Sequence, residues 1–130
     1  MRIILDTNFI LSCIKQKIDF YGELDRLFGR YFLFIPHKVI EELESISKRK
    51  TATLSERSNS KLAIDLINTH LAYILKLDGE NTDSSIANYL NKSKEEIYLA
   101  TLDRNLKKRI TNSKVKFLTI RNKNHIEVSY

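Results

Sequence analysis

Apolar residues fall into two kinds of pattern along the chain: short unbroken runs, and longer stretches spaced three and four apart. The first kind fits a strand buried on both faces, the second one face of a helix. Ile3-Ile4-Leu5, following Arg2, is an unbroken run that stops at Asp6-Thr7-Asn8, polar residues suited to capping a helix. Tyr31 to Ile35 is another, stopped by Pro36, which leads into a helix from about His37 to Arg49. Further strands are predicted over Glu96–Ala100 and Val115–Ile120. Helical spacing links Phe9, Ile10 and Ile14, then Tyr21, Leu24, Leu27 and Phe28. It returns through Leu62, Leu66, Ile67, Leu71, Ile74 and Leu75, a helix predicted to end near Asp78-Gly79. Thr82–Leu90 and Asp103–Ile110 complete the helices, and residues 50–60, almost without apolar side chains, are expected to form an exposed loop. Strands alternating with helices predict an α/β sandwich around a largely parallel sheet.

Length and composition narrow this picture. The chain has 130 residues, 42% hydrophobic and 29% charged, which suits one domain over residues 1–130 with a real core. The apolar content is too high for a disordered chain and too evenly spread for a membrane span. The single cysteine, Cys13, follows the apolar run Phe9-Ile10-Leu11 and reads as a core thiol. No signal peptide is visible at the start, so a cytoplasmic location is expected.

The formal charge of +6 is unevenly distributed. Residues 1–44 carry a net −1 and residues 62–103 a net −4, whereas residues 45–61 carry +4 and residues 104–130 carry +7. Clustered positive charge suggests an anionic partner, the plain alternative being a solvated surface rich in Lys and Asn.

The acids are placed more tellingly than the bases. In open parallel sheets ligands bind at the carboxyl ends of the strands. Asp6 directly follows the first predicted strand and Asp103 lies just past the one ending at Ala100, so both fall at the same sheet edge. Either could equally cap the helix it precedes. Glu42, three after Val39 and four before Ile46, lies at the edge of a core-facing stripe, while Glu41 groups with Lys38 and Ser45 on a solvent face. Asp83, with Ile86, Ala87 and Leu90 beyond it, lies on the buried face of a helix start, where capping is again the alternative. Four acids meeting in one pocket would repel by roughly 3 kcal/mol per pair at about 5 Å and an effective dielectric near 20. Such a pocket either takes up protons or holds a divalent cation. With oxygen donors alone, and His37, His70 and His125 scattered, that cation is Mg²⁺ or Mn²⁺ rather than zinc.

Four stretches then resemble the signature blocks of a PIN domain, in order and across residues 3–110: Ile3 to Asn8, Val39 to Leu43, Thr82-Asp83-Ser84, and Leu99 to Asp103 with Leu106 to Ile110. The Ala100 to Ile110 stretch is most similar to archaeal stand-alone proteins related to the small-subunit rRNA-processing endonuclease, and VapC-type toxins share the blocks. The resemblance implies a three-layer, Rossmann-like α/β/α fold and Mg²⁺/Mn²⁺-dependent cleavage of RNA. It implies Asp6, Glu42, Asp83 and Asp103 as metal-binding acids, with Asn8 and Thr101 orienting them. Many members carry a further Asp where this chain has Asn105, which can offer an oxygen but no charge.

The leading expectation is therefore an endoribonuclease, in which water activated by the cation attacks phosphorus in line and no side-chain nucleophile is needed. Lys48, Arg49 and Lys50 close the helix carrying Glu42, and Arg104, Lys107, Lys108 and Arg109 follow Asp103, so both clusters could carry RNA beside the acids. Tyr98 and Phe34 are expected in the core rather than as base-stacking platforms. A small antitoxin protein, a pre-ribosomal particle and a second copy of the chain are the protein partners the resemblance implies, and no membrane is expected. Two other readings stand beside it: a non-catalytic RNA-binding scaffold that keeps the fold, favoured by Asn105, and a receiver-like phosphoacceptor domain, disfavoured by a single acid at the end of the first strand.

Overall fold

The computed structural model describes residues 1–129. Six strands form one sheet: β1 (Arg2–Leu5), β2 (Phe32–Pro36), β3 (Tyr73–Leu75), β4 (Ile97–Ala100), β5 (Val115–Arg121) and β6 (His125–Ser129). Their order is β3-β2-β1-β4-β5-β6, parallel throughout except for β6, which pairs antiparallel with β5. Six helices connect or flank them: α1 (Thr7–Lys15), α2 (Phe20–Phe28), α3 (His37–Lys48), α4 (Leu54–Thr69), α5 (Thr82–Asn91) and α6 (Arg104–Arg109).

Successive side chains on a strand point to opposite faces, and the central strands use both. Ile3, Leu5, Leu33, Ile35, Tyr98 and Ala100 share one core with Phe9, Cys13, Leu24, Val39, Leu43, Ala63 and Ile67 from α1–α4. Ile4, Leu99, Ile97 and Val115 share the other with Ile86, Leu90 and Leu106 from α5 and α6 and with Ile110 just beyond α6. The unbroken apolar runs of β1 and β4 thus serve two cores at once, and the result is a three-layer α/β/α sandwich. The order β3-β2-β1-β4-β5 is the doubly wound 3-2-1-4-5 arrangement, not the 2-1-3-4-5 order of receiver domains, so the phosphoacceptor reading fails on topology.

Three stretches differ from the sequence-based expectations. Residues 50–60 are largely helical: α4 starts at Leu54, where Thr53 Oγ1 accepts the Glu56 N–H and Glu56 Oε1 accepts the Thr53 N–H. This capping box and packing against α3, rather than an apolar stripe, hold the polar first turns. The same helix stops at Thr69 instead of running to Asp78, because Tyr73-Ile74-Leu75 pairs with β2 as an edge strand. Beyond Ile120, β6 folds back across a turn in which Asn122 and Lys123 have φ of 56° and 59°, the left-handed geometry of a tight hairpin. Tyr98 is buried as expected, against Phe28; Phe34 is half-buried and stacks on Tyr73. Among the described residues no helix is long and apolar enough to cross a membrane.

Candidate active site

The strand order reverses direction between β1 and β4, the switch point at which open α/β sheets leave a crevice. Asp6 stands at the carboxyl end of β1, its N–H bonded to the Ala100 carbonyl of β4 at 3.0 Å. Its side chain is 4% exposed. Oδ1 accepts the Thr7 N–H at 2.9 Å and so caps α1, while Oδ2 accepts the Thr101 hydroxyl at 2.8 Å. Thr101 is fully buried, and its Oγ1 in turn accepts the Asp103 N–H at 3.1 Å. One hydroxyl therefore joins the first and the last of the four acids.

Asp103 caps α6, its Oδ1 accepting the N–H groups of Asn105 (2.9 Å) and Leu106 (3.2 Å). Asp83 is not a cap. Asn81 performs that role for α5 by accepting the Ser84 N–H at 2.8 Å, which leaves the Asp83 carboxyl in the first turn, half-buried and free to face its neighbours. Those neighbours are acidic. Burial raises the Asp83 carboxyl above its ordinary range, the charges of Asp103 and Glu42 add to the effect, a hydrogen bond with Asp103 adds further, and only Arg109 opposes it. Burial likewise pushes Asp6 up to about 6, against the hydrogen bonds from Thr101 and Thr7, with smaller contributions from the charges of Asp83 and Glu42.

Glu42 lies in α3, half-buried at the margin of the helix's core-facing side. Its Oε2 accepts the Thr7 hydroxyl at 2.6 Å, and its Oε1 accepts the Thr82 hydroxyl. Both threonines are buried, and both were missed by the sequence reading. The only signal was adjacency, since Thr7 follows Asp6 and Thr82 precedes Asp83.

The structure thus links Asp6, Glu42, Asp83 and Asp103 through direct bonds or electrostatic contact. Thr101 is hydrogen-bonded to the Asp6 carboxylate and to the Asp103 N–H. Asn8 is exposed on α1 and takes part in none of these bonds, and Asn105 presents its backbone N–H to Asp103 while remaining exposed. Of the basic residues, Arg109 is the one whose charge acts on Asp83: its Nη2 donates to Ser84 Oγ at 2.8 Å, beside Asp83. Arg49, at the end of α3, shares with Glu42 and Thr82 a cleft of about 340 Å³ and donates to Ser45 Oγ at 3.3 Å. Lys107 lies over the Phe117 ring, 5.8 Å from its centre. Lys48, Lys50, Arg104 and Lys108 are exposed and have no bond to the acids.

The donors are hard oxygens, the type that Mg²⁺ and Mn²⁺ prefer. Among the described residues no group of three or more His, Cys, Asp or Glu side chains is placed, as it stands, to hold a metal ion. Mg²⁺ and Mn²⁺ do not require such a group, because these ions commonly keep several waters and use one or two carboxylates together with substrate phosphate. Burial is the main cause that raises Asp6 and Asp83, and the neighbouring acids add to it; a cation would offset the latter contribution.

This fold, with acids at its switch point, defines a known class: the chain belongs to the PIN-like domain family, whose profile matches residues 3–123. It is 28% identical over 128 residues to Ribonuclease VapC4 of Methanocaldococcus jannaschii, a match covering 98% of this chain and 95% of that one. Among solved structures it resembles the PIN domain endonuclease Utp24 with a TM-score of 0.75 and 28% identity, over 98% of this chain and 90% of the other. The fold also resembles VapBC2 from Rickettsia felis, solved bound to a DNA fragment from their promoter, with a TM-score of 0.61 and 20% identity over 90% of this chain and 98% of that one.

Proposed function

We propose that the chain is a Mg²⁺- or Mn²⁺-dependent endoribonuclease, with Asp6, Glu42, Asp83 and Asp103 as its metal-binding and catalytic residues. The observation that carries this reading is that Asp6 and Glu42, oriented by the hydroxyls of Thr7, Thr82 and Thr101, lie within electrostatic reach of Asp83, which in turn faces Asp103, at the carboxyl edge of β1 and β4. The names of the relatives, a ribonuclease and a PIN domain endonuclease, support it.

Each residue has a definable part. Asp6 and Glu42 present carboxylates whose orientation the threonines fix, leaving at least one lone pair on each side chain for a ligand. Asp83 and Asp103 face one another across the open side, and Arg109 is placed to receive a phosphate oxygen near Asp83. When bound, the divalent cation supplies Lewis acidity at the scissile phosphate and makes water a competent nucleophile at neutral pH. Arg49 and Arg109, with Lys48, Lys50, Arg104, Lys107 and Lys108 further out, carry the RNA backbone past the acids. Asn105, the residue that favoured a non-catalytic scaffold, turns only its N–H to Asp103, so the four acids do not depend on it.

The test is cleavage of structured and unstructured RNA in Mg²⁺, in Mn²⁺ and in EDTA. Cutting with either metal and none in EDTA is the expected result; salt-sensitive RNA binding without cutting in any of the three would replace the enzyme with a scaffold. The same reading places the protein in the cytoplasm. A small antitoxin that blocks cutting would assign it a toxin role, co-purified pre-ribosomal RNA would assign it to rRNA processing, and a concentration-dependent sedimentation coefficient would reveal a homodimer.

A further inference from the structure

We propose that Thr7 and Thr82 are positioning residues that clamp Glu42 and, through it, set the separation of Asp6 and Asp83 for a divalent cation. This rests on the nuclease reading of the same pocket. Thr7 is the first residue of α1 and adjoins Asp6; Thr82 is the first residue of α5 and adjoins Asp83. Their hydroxyls donate to different oxygens of one carboxylate, Oε2 and Oε1 of Glu42 on α3. α1 and α3 pack on one face of the sheet and α5 on the other. The bridge Thr7–Glu42–Thr82 therefore passes over the strand ends and ties the two helical layers together where two further acids are attached.

The choice of donor matters. Like charges gathered here push apart, and a Lys or Arg in the same place would hold them by neutralising them. A hydroxyl gives one hydrogen bond and no charge, so the clamp adds no positive charge to compete with a cation. Each Glu42 oxygen also retains a lone pair after accepting one hydroxyl. With 7% and 9% exposure, Thr7 and Thr82 are shielded from water that would compete for the same oxygens.

The test uses the full chain and calorimetric titration with Mn²⁺, alongside melting temperatures measured without metal. Thr82→Val removes the hydroxyl and keeps the branched shape; it is expected to weaken Mn²⁺ binding by roughly 10–100-fold, the usual effect of removing a group that orients a ligand. Thr82→Ser should restore binding to within a few-fold. In a Glu42→Gln background Thr82→Val should add little, because the group it acts through is already altered. Thr7→Val should repeat the pattern and substitutes for the first variant if Thr82→Val does not fold. Unchanged Mn²⁺ affinity in a folded valine variant, failure of serine to rescue, or an equal loss in the Glu42→Gln background would each overturn the clamp while leaving the nuclease reading standing. A parent protein that neither binds Mn²⁺ nor cuts RNA would remove the nuclease reading and the clamp together.

Discussion

The acid pocket has two unlike halves. Asp6 and Glu42 are held by hydroxyls from Thr7, Thr82 and Thr101, and Asp6 is nearly inaccessible. Asp83 and Asp103 have no hydroxyl of this kind: they face each other, and Arg109 is the opposing charge. Hydroxyls orient the carboxylates of the first half; in the second, backbone N–H groups of Asn105 and Leu106 hold Asp103, and Arg109 offsets the charge around Asp83. Under the proposed function, a cation in this pocket would meet one side whose carboxylates are oriented by hydroxyls and another where Asp83, raised above its ordinary range, faces Asp103.

The largest contrast should come from neutralising the hydroxyl-held half. Glu42→Gln keeps the shape and one oxygen acceptor but forces an amide against a hydroxyl; RNA cleavage under single-turnover conditions should fall by more than about 100-fold, beyond the usual cost of losing a supporting residue. If the loss is only a few-fold, the hydroxyl-held half does not define the site.

Next in size is a stability effect that belongs to Asp6. Its carboxyl titrates at about 6 in the folded chain against an ordinary 3.8, so the folded state holds this proton more tightly than the unfolded chain does. The stabilisation it contributes is complete below 3.8 and is lost as pH rises from there through about 6. That gap corresponds to about 3 kcal/mol. In metal-free buffer, the stability of Asp6→Asn relative to the parent should therefore increase between pH 4 and pH 8 by up to this amount, as read by chemical denaturation. A flat difference would mean that burial does not strain this carboxylate.

In the open half the pH response should appear in the rate. Arg109 opposes the rise of the Asp83 carboxyl, so Arg109→Ala should move the acidic limb of the pH–rate profile to higher pH and lower cleavage at neutral pH by roughly tenfold. An unshifted limb would detach Arg109 from Asp83. The smallest effect lies outside both halves: Thr53→Ala, which breaks the capping box of α4, should cost about 1 kcal/mol of stability and leave cleavage untouched.

The unequal legibility of the two halves follows from the same physics. Asp6 and Asp103 were readable because a carboxylate ending a buried strand is a local event; both side chains cap helices, and capping leaves both at the edge of the proposed pocket. Glu42 was readable from helical spacing. The hydroxyl network was not, because its bonds join residues 35, 40 and 95 positions apart, and nothing local marks Thr7 or Thr82 as partners of a glutamate. Asp83 was placed correctly at a helix start but its alternative role as a cap belongs to Asn81. In the fold, α1–α3 and the central strands followed their apolar patterns. The start of α4 escaped because a capping box, not a stripe, makes it helical, and β3 was read as helix because Leu71, Ile74 and Leu75 happen to continue its spacing. The alternation of Ile126 and Val128 after Asn122-Lys123-Asn124 held the signal for β6.

The most direct test of the account is RNA cleavage by the parent protein and by Asp6→Asn, side by side with Mn²⁺ and with EDTA. Asp6 is the acid that the strand, the Thr101 hydroxyl and the α1 cap all converge on. The account predicts Mn²⁺-dependent cutting by the parent, none in EDTA, and none by a folded Asp6→Asn protein. Equal cutting by parent and variant, or cutting that survives EDTA, would contradict it.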